Sequence, residues 1–279
     1  MTLSSPGSSP RPSTAAKISL RGVGKEFPAA AGGRVFRALG EVSLDVADGE
    51  FVTVVGPSGC GKSTLLNILA GLEQPTSGEA LVDGVPVRGP GPERGVIFQQ
   101  YALFPWLSVR KNVEFGLKTL GVPQQERADR VDHYLSMVGL DAFADRLPKA
   151  LSGGMKQRCA IARAYAVHPE ILLMDEPFGA VDALTRVRLQ EQLLATWSQE
   201  QRTVLFITHD VDEAVFLANR VVVMAADPGR LQEVIEIDLP HPRTEEVRLS
   251  PRFTQLRNRV WSAVYHQGDD RPSLEGEPR

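Results

Sequence analysis

Nine consecutive residues, Gly56-Pro57-Ser58-Gly59-Cys60-Gly61-Lys62-Ser63-Thr64, leave the surrounding backbone few ways to fold. They fit G-x-x-x-x-G-K-[S/T]. A β-branched run, Phe51 to Val55, leads into them, and Leu65, Leu66, Ile68, Leu69 and Leu72 follow at helical spacing. Strand, glycine-rich turn and helix must therefore succeed one another. Glycines let such a turn curl until successive N–H groups face phosphate oxygens, and the helix adds its positive end. In that arrangement Lys62 meets the β and γ phosphates of a nucleotide, Ser63 offers its hydroxyl to Mg²⁺, and Thr64 caps or packs within the helix. A plain glycine turn would not need so many specified positions.

The rest of the composition narrows the class. Of 279 residues, 42% are apolar and 23% charged, enough for one large domain or two modest ones with a filled core. Lys and Arg number 31 against 34 Asp and Glu, and the formal charge of -3 argues against a nucleic acid partner. Cys60 and Cys159 are too few for a disulfide framework or a zinc site. Residues 1–16, rich in Ser, Pro and Gly without the apolar run of a secretory signal, are expected as a disordered lead. Residues 265–279 are expected as a disordered tail, and 17–264 as the folded domain. No apolar run approaches the roughly 18 residues that span a bilayer, so membrane association is expected only through a partner.

Along the folded part, Val42 to Val46 alternates as a half-buried strand does, and Asp48-Gly49 marks a turn. Ile171 to Met174 and Thr203 to Ile207 read as parallel strands, each ending at a polar residue. Between about 102 and 166 the pattern turns helical, with Gln124 to Val138 amphipathic, which implies an inserted α-helical subdomain. Val211 to Asn219 and Pro251 to Val264 are predicted helices, and Val221 to Met224 a strand. The fold class is α/β.

Four further features carry chemistry. Asp175-Glu176 ends an apolar strand: Asp175 can hold the Mg²⁺ shell and Glu176 can polarise an attacking water. The same Asp-Glu-Pro sequence also suits a strand cap and turn. Leu151-Ser152-Gly153-Gly154-Met155-Lys156-Gln157-Arg158 places a capping serine before a helix whose amides, freed by two glycines, form a second anion site. One triphosphate already has its cradle, so the second site most economically serves a nucleotide held by another copy of the chain. His209 follows a strand and can donate to a γ-phosphate, while Gln99 follows Val96-Ile97-Phe98 and can reach the metal or the water. Phe27 can stack on an adenine ring or pack as an ordinary aromatic.

This ordered series resembles the ATP-binding cassette (ABC) ATPase family over about Ile18 to Val264. The resemblance implies a P-loop NTPase with a RecA-like core, an N-terminal antiparallel β subdomain and the inserted helical subdomain. It implies ATP and Mg²⁺ as cofactors. Gly56 to Thr64 then correspond to the Walker A loop and Gln99 to the Q-loop. Leu151 to Gln157, with Ser152, Gly153, Gly154 and Gln157, correspond to the signature. Ile171 to Asp175 match Walker B with Glu176 as base, Asp182 the D-loop and His209 the switch histidine. Ser63, Gln99 and Asp175 are the implied metal residues. Tyr101 to Leu107, Asp175 to Ala180 and Asp182 to Arg186 are similar to ATPase subunits of bacterial nitrate, sulfonate and taurine importers. Val181 stands where Leu is commoner. About 70 residues follow His209, fewer than the β-barrel regulatory domain of sugar and polyamine importers requires.

The resemblance further implies a homodimer that drives transmembrane permease subunits. It also implies an indirect link to a substrate-binding protein and a peripheral place on the cytoplasmic face of the membrane. The permease would dock beside Gln99 and the helical insertion, where Phe104, Pro105 and Trp106 either meet it or pack internally. A soluble cassette acting on DNA or the ribosome is the alternative; fused cassettes and a long coiled coil, its marks in the family, are not found in this sequence. A phosphate-transferring kinase gives no reason for Leu151 to Arg158.

Overall fold

The computed structural model describes residues 16–28, 35–241 and 243–265. The expected lead and tail lie outside these residues, except that Ala16 already opens the first strand and Tyr265 still belongs to the last helix. Strands β1 (Ala16–Phe27) and β2 (Phe36–Ala47) pair antiparallel, followed by β3 (Phe51–Val55) and helix α1 (Lys62–Ala70). Next come β4 (Ser77–Val82), β5 (Val85–Pro86) and β6 (Arg94–Ile97). Helices α2 (Val109–Thr119), α3 (Gln124–Met137) and α4 (Gly153–Ala166) occupy the stretch read as helical and pack on one another. The chain then alternates β7 (Ile171–Asp175), α5 (Ala183–Glu200), β8 (Thr203–Ile207), α6 (Val211–Leu217), β9 (Arg220–Ala225) and β10 (Arg230–Glu236). It closes with α7 (Glu245–Arg248) and α8 (Pro251–Tyr265).

Two sheets result. One is antiparallel in the order β2-β1-β4-β5; the other runs β10-β9-β3-β8-β7-β6. In the second, β9, β3, β8, β7 and β6 are parallel and only β10 runs against its neighbour. Parallel strands covered on both faces should be apolar throughout, and β3, β7 and β8 are buried at every position.

Their alternation sorts two cores. Val52, Val54, Ile171, Leu173, Leu205 and Ile207 face α1 and the antiparallel sheet, joining Ile18, Leu20, Leu65 and Leu69. Phe51, Val55, Leu172, Met174, Val204 and Phe206 face the opposite side, where α4, α6 and α8 pack. Each fully buried side chain of this size contributes about 1.5–3 kcal/mol, so the central strands are fixed in register from both sides. Helix α1, between the two sheets, touches β2 and β4 on one side and β7 and β8 on the other. Strand β3 thus delivers its glycine-rich turn at the centre of the sheet, with the ends of β8, β7 and β6 in a row beside it.

Helix α1 stops at Gly71, whose φ of 76° lies in the left-handed region; a Cβ there would sit 2.1 Å from the Gly89 carbonyl oxygen. Backbone conformation and space both demand glycine. Gly71→Ala should therefore lower the unfolding free energy by about 1–3 kcal/mol. A urea titration should show a lower midpoint at unchanged slope; an unaltered midpoint would contradict this packing.

Candidate active site

The turn after β3 is built from conformations that only glycine adopts easily. Gly59 has φ 80° and Gly61 φ 88°, and a Cβ on Gly61 would lie 2.8 Å from the Ala38 carbonyl oxygen and 2.5 Å from a Leu39 methyl. Strand β2 therefore presses directly on the back of the loop. Gly229 does the same from the β9–β10 turn: a Cβ there would fall 2.2 Å from the Cys60 carbonyl oxygen. Ser58, Gly59 and Ser63 are exposed on the other side, Pro57, Gly61, Lys62 and Thr64 are half-buried, and Gly56 is buried. Cys60 contributes backbone only, because its side chain is wholly buried. The Lys62 ammonium donates to the carbonyl oxygens of Gly56 at 2.8 Å and Pro57 at 3.0 Å. This places a cation inside the curl.

Next to the loop, the last residue of β7 is Asp175, buried at 9% exposure. Burial pushes its carboxyl above the ordinary aspartate value; the hydroxyl of Ser63 donates to it and lowers it, the adjacent Glu176 raises it, and Lys62 lowers it. A hydroxyl and two carboxylates are hard oxygen donors. Among the described residues no group of three or more His, Cys, Asp and Glu could hold a metal unaided. The donor set fits an ion such as Mg²⁺ that brings water and phosphate oxygens as its other ligands.

Glu176 leaves the strand with φ 46°, an unusual value for a residue with a side chain, while its N–H still donates to the Ile207 carbonyl at 3.0 Å. Two groups converge on its carboxylate. Gln99 Nε2 donates to Oε2 at 3.2 Å, and His209 Nδ1 lies 3.3 Å from the same oxygen. The three come from the ends of β6, β7 and β8, neighbours in the sheet. Three residues 110 positions apart at the extremes thus share one point, and strain of this sort is concentrated where function requires it.

The residues expected to make a second anion site lie at the start of α4. Ser152 caps α4, its Oγ accepting from Met155 N–H at 3.3 Å, and it remains exposed. Gly153 and Gly154 lie against Tyr101 and Ala180; a Cβ on Gly153 would meet the Tyr101 hydroxyl at 3.0 Å, and one on Gly154 the Ala180 carbonyl at 3.3 Å. Gln157 departs from its expected place at a nucleotide. It is 1% exposed, with both amide atoms unpaired, because its position along α4 turns it toward the core rather than the surface that Ser152 faces. Asp182 caps α5 through Thr185 N–H at 3.0 Å, and hydrogen bonds from Thr185 hold its carboxyl below the usual range. Phe27 ends β1 opposite Phe36, with the Lys25 ammonium 4.9 Å from its ring centroid.

Several residues near the site were not expected from sequence. Arg186 donates to the Val181 carbonyl at 3.1 Å and approaches Asp210 at 3.6 Å, joining the segment before α5 to the segment after His209. Asp210 caps α6 through Glu213 N–H at 3.1 Å. Buried Glu213, its carboxyl pushed up by desolvation, accepts from Thr208 and from Gln190 Nε2, the latter at 2.7 Å. The spacing Asp210-x-x-Glu213 was the available signal, as an acidic cap followed three residues on by glutamate.

A phosphate-cradling loop after a central parallel strand, with two successive carboxylates at the end of another strand of the same sheet, defines a P-loop nucleoside triphosphatase. The family model for the ABC transporter matches residues 39–179. A protein of Brucella abortus (strain 2308) is 73% identical over 83% of this chain and 89% of its own length. The nitrate import ATP-binding protein NrtD of Synechococcus elongatus is 48% identical, over 92% of this chain and 96% of its own. A solved dimeric structure of a post-hydrolysis state of the ATP-binding cassette MJ0796, bound to ADP and Pi, is 33% identical. It superposes with a TM-score of 0.72, covering 79% of this chain and 98% of that one. The chain belongs to the ABC transporter family and is an ATP-binding, ATP-hydrolysing member of it. Among the described residues no helix is long and apolar enough to cross a membrane.

The buried Asp175 carries a stability consequence with a definite sign. Its folded pKa lies above 3.8, so the folded state binds the proton more tightly and loses stability as pH rises through the folded value. That penalty persists at neutral pH. Asp175→Asn should raise the thermal midpoint of the nucleotide-free protein at pH 7 by about 2–4 °C. The gain should vanish toward pH 3.8. Calorimetry across that range checks it, and a gain that grows on acidification would contradict the burial argument.

Proposed function

We propose that this chain is the ATPase subunit of an importer for nitrate, sulfonate, taurine or a related small compound. Nitrate is the first choice, because the relative that matches along nearly the whole chain is named for nitrate import. The convergence of Gln99 and His209 on the carboxylate of Glu176, beside the Ser63 and Asp175 pair, carries the reading. In it, the amides of Gly56 to Thr64 and the Lys62 ammonium bind the β and γ phosphates, and Phe27 stacks on the adenine. Ser63, Asp175 and Gln99 would hold Mg²⁺, which would supply positive charge to neutralise the phosphates.

Glu176 takes a proton from the attacking water, and His209 donates to the γ-phosphate. Two chains close head to tail, so that Ser152, Gly153, Gly154 and Asp182 of each complete the site of the other. The solved neighbour is itself a dimer, which supports a two-chain working unit. ATP binding and hydrolysis then move a pair of membrane-spanning permease subunits, fed by a substrate-binding protein, from the cytoplasmic face of the membrane. Exposed Trp106 and neighbouring Phe115 suit the permease contact.

Glu176→Gln should keep ATP binding and lower turnover by about 10²-fold or more. Steady-state ATPase measurements check this, and undiminished turnover overturns the role of Glu176. For the cargo, vesicles holding the chain with the permease that copurifies with it should take up labelled nitrate only when ATP is enclosed. Copurification with ribosomes or DNA instead would overturn transport.

A further inference from the structure

Between Gln99 and α2 the chain passes through Tyr101, Ala102, Leu103 and Phe104, with Ala102 at φ 46°. Arg163, on α4, reaches back to this segment. Its Nη1 donates to the Ala102 carbonyl at 2.6 Å and its Nη2 to the Tyr101 carbonyl at 3.5 Å. The same guanidinium lies 5.7 Å from the centroid of the Phe104 ring.

Phe104 in turn stands 4.4 Å from Phe115 and 5.8 Å from Trp106, centroid to centroid, and Trp106 is 72% exposed. Fully buried Asn112 fixes the position of Phe104, accepting from its N–H at 2.8 Å and donating to its carbonyl at 3.1 Å. At the opposite end, the Tyr101 hydroxyl packs on Gly153, at the start of the helix that Ser152 caps. An unbroken series of contacts thus runs from an exposed aromatic group to the second anion site. None of it involves the glycine-rich loop.

We infer that Arg163 and Tyr101 are positioning residues: they tie the aromatic cluster of Trp106, Phe104 and Phe115 to the Ser152–Gly154 helix end, so that pressure on the aromatics shifts that end. The inference rests on the two-chain reading above. A planar guanidinium can serve two carbonyls and stack on a ring at once, which an ammonium cannot. Tyr101 matters for its hydroxyl, the atom nearest Gly153.

Contiguity alone does not establish coupling, so the decisive measurement is a double-mutant cycle. Glu176→Gln serves as the parent, and ATP-driven dimerisation is followed by analytical ultracentrifugation. Arg163→Lys should raise the protein concentration needed for half-dimerisation by about 10-fold, and Tyr101→Phe by about 3-fold. ATP affinity of the monomer should stay within about 2-fold, because the first cradle is untouched, whereas general unfolding would reduce both.

Phe104→Leu alone should weaken dimerisation, yet add nothing once Arg163→Lys is present. Should Arg163→Lys fail to fold, the cycle of Tyr101→Phe with Phe104→Leu makes the same comparison. A dimer indifferent to these substitutions, or effects that simply add, overturns the inference and leaves the two-chain reading intact. A parent that forms no ATP-dependent dimer overturns the two-chain reading, and the inference with it.

Discussion

The close packing of backbone behind the glycine-rich loop is the constraint on which the rest of the site depends. The carbonyl of Ala38 presses on Gly61, and that of Cys60 meets Gly229, at separations that admit no Cβ. A strand of one sheet, β2, and the β9–β10 turn of the other thus close on one loop. That explains why α1 must lie between the sheets and why its inner positions are leucine and isoleucine: the helix is clamped from both sides. With its back occupied, the loop can present amides only outward. Lys62, bonded to the loop's own carbonyls, keeps its charge inside the curl, near enough to Asp175 to pull that carboxyl's pKa down.

From that fixed point the parallel sheet acts as a ruler. Register places Ile97 beside Met174 and Asp175 beside Ile207, so the residues just past those ends emerge together. Glu176 then gives up ordinary backbone geometry to turn its side chain between Gln99 and His209. A left-handed glutamate is tolerable because its N–H remains bonded to β8. Folding energy held in two well-filled cores supports one strained residue where the chemistry lies.

The central architecture was legible because β3, β7 and β8 are short apolar runs, the first feeding the glycine-rich turn and the other two ending at polar residues, a pattern with few alternatives. Helix α3 was legible from the face bearing Val131 and Leu135. The loop and carboxylates announce themselves because chemistry allows few substitutes at Lys62, Asp175 or Glu176. Strand β1 was not legible, since its register shifts interrupt the alternation on which periodicity depends. Gln157 was misplaced for a related reason: a motif read as a linear word ignores that its letters wind around a helix. Arg163, Arg186 and Asn112 escaped because each acts on backbone carbonyls, and a carbonyl carries no residue identity to search for, whether it lies near in sequence, as for Arg186 and Asn112, or far away, as for Arg163.

Those three residues share a physical logic. Segments that carry function here lack regular hydrogen bonding of their own: the run after Gln99, the turn before α5 and the stretch after His209 all lie between elements. Each is held by a side chain from a rigid helix, Asn112 from α2, Arg163 from α4 and Arg186 from α5. A side-chain tether of this kind fixes a loop at one or two atoms while leaving its remaining backbone free to rearrange, at a net cost of about 1 kcal/mol for the neutral amide of Asn112 and about 1.5–3 kcal/mol for each charged guanidinium bond exchanged. Ladder pairing would have made the same segments as rigid as the sheet. Loops that must be placed accurately and also released are better served by a few side-chain tethers than by a full ladder, because few bonds have to break for each change.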